Sequence, residues 1–210
     1  MRNKNTIDIS YLVWFHYSYH FLGVGFLNPI LTEYGHNDVA YKLILQETYP
    51  SWGYSVKHNA TTIWERWDGW TKEKGFQDPH MNSFNHYSLG SVGRWLFQSV
   101  AGIDTDEKSV GFDKIIIRPN PGEGLTFVNT EYRSIKGLIK SSWIKESTGG
   151  KQEIRIKVNF WRNNLFKLKI KNFLKVSIPV NTRAVIDLRF SKNGGVHEVG
   201  SGDYEYVVAL

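Results

Sequence analysis

Residues 89 to 117 read LGSVGRWLFQSVAGIDTDEKSVGFDKIII, and the spacing of apolar side chains changes character inside them. Leu89, Val92, Gly93, Leu96 and Val100 recur at i, i+3, i+4, i+7 and i+11, which is the stripe of one helix face. After Gly111 the period becomes two, opening with Ile115 and Ile117, as in a half-buried strand. A chain that changes period once, near residue 110, places helices and strands in separate domains.

Upstream, Val39, Leu43 and Ile44 repeat the helical spacing behind Asn37 and Asp38, which suit an N-cap, and Gly35 suits the stop of a helix over residues 22–33. The apolar stretch YLVWFHYSYHFLGVGFLNPIL, residues 11–31, is interrupted by His16, His20, Asn28 and Pro29, and no A-x-A cleavage site follows it. It reads as a buried helix rather than a signal peptide or membrane span. The first half therefore holds three helices joined by a long aromatic loop from Tyr49 to Asn82. Downstream, Ile139, Ser141 and Trp143 alternate with polar neighbours, as do Ile154 to Phe160, Phe166 to Ile170 and Ala184 to Phe190. Turn signals stand at 120–124, 149–150, 163–164, 193–195 and 200–202. Strands of this kind predict an antiparallel β-sandwich over 111–210.

Composition narrows the function classes. With 41% hydrophobic and 22% charged residues the chain is globular, and with no cysteine it holds neither a disulfide framework nor a thiolate site. The net charge of +6 is spread singly along strand-like segments such as KQEIRIKV, so neither a nucleic-acid nor a membrane partner is expected. Compartment is left nearly open, with a slight preference for the cytoplasm. Three helices need a partner layer to bury their apolar faces. Either they pack on the sandwich or they belong to a larger helical domain whose beginning is absent, and self-association through the exposed helical half is a further expectation.

Residues 60–70, ATTIWERWDGW, concentrate chemistry: of eight tryptophans, Trp52, Trp64, Trp67 and Trp70 fall here or just before. On one reading the rings form stacking surfaces for sugar rings around Glu65 in a partly desolvated cleft. On the other they are a loop core with Glu65 paired to its charged neighbours at the rim. Further on, HMNSFNHYSLGSVGRWL brings Asn82, Asn85 and His86 to the start of the Leu89 helix, where His86 can exchange hydrogen bonds with a hydroxyl. The spacing of His80 and His86 suits no metal on one helix, so neither metal nor cofactor is expected, and no P-loop, G-x-S-x-G or H-E-x-x-H occurs.

Taken in order, ETYPSWGYSVKHNATTIWERWDGW, MNSFNHYSLGSVGRWLF, AGID and GFDKIIIRPNPGEGLTFVNTEYRSIKGLIKSSW resemble the C-terminal part of bacterial α-L-rhamnosidases. The resemblance implies the last helices of an (α/α) barrel of six hairpins over residues 1–110, then the sandwich over 111–210. It implies inverting hydrolysis of terminal α-L-rhamnosyl groups. Glu65 falls on the glutamate of the family's TIWERWDGW motif, as the general base that activates water. His86 falls on the histidine of MNSFNHY, in contact with the sugar, and Trp67 walls the pocket. An inverting hydrolase needs a second carboxyl group about 6.5–9.5 Å from the base. In the family that acid lies in a motif well upstream, and Glu33, Asp38, Glu47 and Asp78 have no matching context. The resemblance thus implies a fragment whose partner is a rhamnose-containing glycoside and which is inactive alone. The alternative is a carbohydrate-binding or partner-subunit fragment without catalysis.

Overall fold

The computed structural model describes residues 23–148, 151–155, 174–206 and 208. Residue contacts divide the chain into two compact units between Trp95 and Leu96. In the first, α1 (Val24–Glu33) and α2 (Asn37–Leu45) form a helical pair, followed by α3 (Trp52–Lys57), α4 (Tyr87–Gly90) and α5 (Gly93–Trp95). Gly35 ends α1 at φ 86°, a conformation that glycine adopts without a Cβ penalty, and its N–H reaches the Thr32 carbonyl while that of His36 reaches Leu31. The N-cap of α2 is His36, not Asn37 or Asp38, and it makes no side-chain cap bond; Asn37 is drawn away as its Oδ1 accepts the Thr32 hydroxyl at 3.1 Å. The core of this unit gathers Val24, Trp67, Leu89 and Val92, with Ile44 and Trp52 against them.

The stretch expected as a plain loop from Tyr49 to Asn82 carries structure of its own. It contains α3, a two-stranded hairpin of β1 (Trp70–Thr71) and β2 (Gly75–Phe76), and a 3₁₀ turn over Pro79–Met81. Its strands and turns are each too short to establish a period, and so are invisible to pattern reading.

The second unit opens with a π-helical turn, Leu96–Val100, whose i→i+5 bond runs from the Ala101 N–H to the Leu96 carbonyl at 2.9 Å. Leu96, a member of the predicted stripe that stands where this turn begins, is 38% exposed, while Trp95 before it and Val100 at its end are buried. Two sheets follow. One has the order β10-β9-β4-β3, with β3 at Ile103–Thr105, β4 at Lys114–Ile117, β9 at Arg183–Asp187 and β10 at Val196–Val199. The other has the order β11-β8-β6-β5, with β5 at Phe127–Ser134, β6 at Gly137–Thr148, β8 at Leu174–Ile178 and β11 at Gly202–Tyr206; β7 (Lys151–Arg155) also pairs with β6. Every pair is antiparallel except β4 with β9, which run parallel. Ile115, Ile117, Ile139 and Trp143 turn inward and are fully buried, as their alternation predicts.

Buried polar groups tie the π turn into this sandwich. Trp143 donates its indole N–H to the Val100 carbonyl at 2.8 Å, and the Ser141 hydroxyl donates to Ala101 at 2.6 Å. Those bonds and the short strand β3 carry the division of the chain to Trp95, ahead of the change of texture near residue 110. The predicted alternation over residues 156–160 and 166–170, and the helix before residue 23, lie outside the described residues. Among the described residues no helix is long and apolar enough to cross a membrane.

Candidate active site

The segment carrying Glu65 and the segment carrying His86 run side by side. The Glu65 N–H donates to the Ser83 carbonyl at 2.8 Å, the His86 N–H donates to the Ile63 carbonyl at 2.9 Å, and the Thr62 hydroxyl donates to the carbonyl of Phe84. A fourth bond brings chemistry into this ladder. The Ser83 N–H donates to Oε2 of Glu65 at 2.7 Å, a charge-assisted bond that fixes the carboxylate's direction. Oε1 of Glu65 has no hydrogen-bond partner among the described residues. One oxygen is thus anchored while the other keeps its lone pairs for a ligand or water.

Local charge pairing explains why Glu65 is left available. Arg66 forms a bidentate pair with Asp68, Nε to Oδ1 at 2.9 Å and Nη2 to Oδ2 at 2.7 Å. The reading in which Glu65 itself pairs with its charged neighbours at a loop rim does not hold for that arginine, because Asp68 occupies its fork.

His86 is the N-cap of α4. Its Nδ1 accepts the Ser88 N–H at 3.3 Å and lies 2.8 Å from the Ser88 hydroxyl. The tautomer that suits the Ser88 N–H bond carries its proton on Nε2. Its ring stacks on Tyr87, with centroids 5.2 Å apart and planes 16° from parallel.

The tryptophans take a different part. Trp67 is 2% exposed and meets Trp52 edge to face at 5.0 Å; Trp64 meets Phe84 at 5.4 Å and Trp70 at 6.4 Å. These are core contacts of the kind that aromatic rings favour. Trp52, Trp64 and Trp67 line an apolar cavity of about 240 Å³ whose wall includes neither Glu65 nor His86. The structure therefore brings Glu65 and His86 onto paired segments and places Trp67 behind them, in the core. Among the described residues no group of three His, Asp or Glu side chains is arranged to hold a metal ion. The partner that pattern reading could not supply is the Ser83 N–H: a main-chain donor leaves no trace in a sequence.

Residues 10–100 match the bacterial alpha-L-rhamnosidase 6 hairpin glycosidase domain, and residues 102–161 match the bacterial alpha-L-rhamnosidase C-terminal domain. The chain belongs to the bacterial α-L-rhamnosidase family. Its helices are the C-terminal helices of a six-hairpin (α/α) barrel, and its strands form the sandwich that follows. An α-L-rhamnosidase of Streptomyces avermitilis is 46% identical over 134 residues, covering 64% of this chain and 13% of that protein. One from Formosa agariphila is 37% identical over 171 residues, covering 80% of this chain and 16% of that protein. Among solved structures, the S. avermitilis α-L-rhamnosidase complexed with L-rhamnose superimposes with a TM-score of 0.71 at 33% identity over 94% of this chain. The native Aspergillus terreus enzyme superimposes with a TM-score of 0.72 at 31% identity, also over 94%. The chain spans between 13% and 21% of the length of these relatives. Both site segments of this rhamnosidase-family chain, 62–70 and 81–90, lie within the part matched to the six-hairpin domain.

Proposed function

We propose that this chain carries the general-base half of an inverting α-L-rhamnosidase active site. The observation that supports this best is the Glu65 carboxylate: Oε2 is anchored on the Ser83 N–H and Oε1 has no protein partner among the described residues. A base must be oriented and must keep a lone pair free to take a proton from water. Glu65 stands within the stretch matched to a six-hairpin glycosidase domain, which supports that role for it.

In this reading water bound at Oε1 loses its proton to Glu65 as it attacks the anomeric carbon from the face opposite the aglycone. The aglycone oxygen departs with a proton from a second carboxyl group, supplied by an upstream part of the hairpin domain that this chain does not contain. Attack from the opposite face inverts the anomeric configuration. His86, its Nδ1 occupied by Ser88, donates from Nε2 to a sugar hydroxyl. Trp67 contributes by packing, holding the turn that carries Glu65. Alone, the chain binds the rhamnosyl group weakly and does not hydrolyse rhamnosides.

The test has two stages. Titration of the chain with L-rhamnose, followed by the amide resonances of residues 62–66 and 83–88, reads binding. Replacing the matching segment of the S. avermitilis enzyme with residues 10–161 then supplies the missing hairpins, and proton NMR of the first product formed reads the anomer. A folded chimera without turnover, or one releasing the retained anomer first, overturns the reading.

A further inference from the structure

Asn82 takes no part in the chemistry above, yet one of its polar atoms is buried with no visible reason. Its Nδ2 donates to the Gly69 carbonyl at 2.8 Å, an oxygen that also accepts the Gln77 N–H at 3.0 Å. Its Oδ1 is shielded from solvent and has no hydrogen-bond partner among the described residues. Such a group is uncommon in a folded protein and calls for an explanation. Rotating the amide by half a turn would set Oδ1 against the Gly69 carbonyl, oxygen to oxygen, so the bond to Gly69 fixes the orientation and leaves Oδ1 stranded. The fit is close: a Cβ on Gly69 would stand 2.6 Å from Oδ1.

Asn82 and Ser83 are neighbours, and together they grip both ends of one turn. Ser83 holds its start, exchanging main-chain and carboxylate bonds with Glu65. Asn82 holds its end at Gly69, whose N–H closes the turn on the Arg66 carbonyl at 3.2 Å. The nitrogen of Ser83 belongs to the planar peptide group that begins at the Asn82 carbonyl carbon. Whatever immobilises Asn82 therefore limits how far the Ser83 N–H can swing away from Oε2.

We infer that Asn82 is a positioning residue of this site: its side-chain amide, locked on the Gly69 carbonyl, aims the Ser83 N–H at the Glu65 carboxylate. Its catalytic meaning rests on Glu65 acting as base, but the geometry it asserts can be tested without sugar or turnover.

The experiment is NMR on the full 210-residue chain, reading the Ser83 amide proton. A short bond to a carboxylate moves that proton downfield, and Glu65→Gln gives its position when the acceptor is neutral. Asn82→Ala and the nearly isosteric Asn82→Asp, which lacks the Nδ2 donor, are expected to move the resonance upfield toward the Glu65→Gln position. Gly69→Ala, which pushes on Oδ1, should do the same, whereas Asn85→Ala, exposed on the same segment, should leave it in place. A purely structural Asn82 would lower the melting temperature without singling out this proton. A folded Asn82→Asp chain with the Ser83 resonance at its wild-type position overturns the inference. If neither Asn82 variant folds, Gly69→Ala decides by the same criterion. Absence of rhamnose binding in the wild-type chain would count against the glycosidase reading and leave this result untouched.

Discussion

Glu65 and Ser83 hold each other twice: the Glu65 N–H donates to the Ser83 carbonyl at 2.8 Å, and the Ser83 N–H donates to the Glu65 carboxylate at 2.7 Å. The two bonds share one pair of residues, so the carboxylate's direction is set by main-chain geometry rather than by a mobile side chain. That arrangement allows the carboxylate to be removed without disturbing the loop.

Glu65→Gln keeps an oxygen to accept the Ser83 N–H and removes the base. In the chimera with the S. avermitilis enzyme it should lower kcat by about 10²–10⁴-fold, the usual contribution of one acid–base group, with KM for an aryl rhamnoside nearly unchanged. Unchanged turnover would remove Glu65 from the base role.

Trp67 is 2% exposed and packs edge to face on Trp52 in the core. Trp67→Ala should destabilise the helical unit by about 3–5 kcal/mol, the range for deleting a large buried ring, as measured by urea unfolding. Trp67→Phe should recover much of that loss. Normal stability with lost rhamnose binding would instead make Trp67 a ligand contact.

His86 caps α4, and the proposed function gives it a second, separable task, donation from Nε2. His86→Asn retains a side-chain acceptor for the Ser88 N–H and should fold like wild type, while His86→Ala should lose about 1 kcal/mol of cap energy. Both should weaken rhamnose binding. Calorimetric titration beside thermal melts separates the two tasks, and full affinity in His86→Asn would show that the ring does not touch the sugar.

In the sandwich, the Arg189 guanidinium grips both oxygens of the nearly buried Asp187, at 2.9 and 2.6 Å, and holds its carboxyl below the ordinary value of 3.8. A carboxyl depressed in the folded state adds stability that is fully present above its unfolded value and is lost as pH falls through its folded value. Arg189→Met should therefore be less stable than wild type at pH 7, and the gap should close as pH falls below about 3.8. Chemical unfolding at neutral and acid pH measures it, and a gap independent of pH would assign the effect to packing.

Phe26, Ile30 and Tyr34 recur every fourth residue along α1 and its cap, and are 62%, 50% and 74% exposed. An apolar ridge of this kind associates or takes up hydrophobic dye. The triple variant Phe26→Ser, Ile30→Lys, Tyr34→Ser should sediment as a smaller species than wild type and bind less dye. A monodisperse, dye-silent wild-type monomer would show the ridge to be inert.

The parts legible in the sequence were those with a repeating physical cause. Leu89 and Val92 are buried and Ile115, Ile117 and Ile139 face a core because burial imposes a period of 3.6 on helices and of two on strands, and that period is written in the order of residues. Glu65 and His86 could be named as candidates too, because the chemistry proposed for them fixes the residue type and the motif its neighbours. The rest depended on which parts of the chain meet. Leu96, in the predicted stripe, is exposed where a π turn begins, and that turn is tied to Trp143 and Ser141 far along the chain. Asn37 lost the cap to His36 because Thr32 claimed its oxygen. Trp67 and Glu65, two residues apart, went one to the core and one to the candidate site, on a turn that Gly69 closes on the Arg66 carbonyl. The orientation of the candidate base was settled by a main-chain N–H eighteen positions away at Ser83, and every residue but proline carries such a donor, so only the folded chain could choose which one it would be.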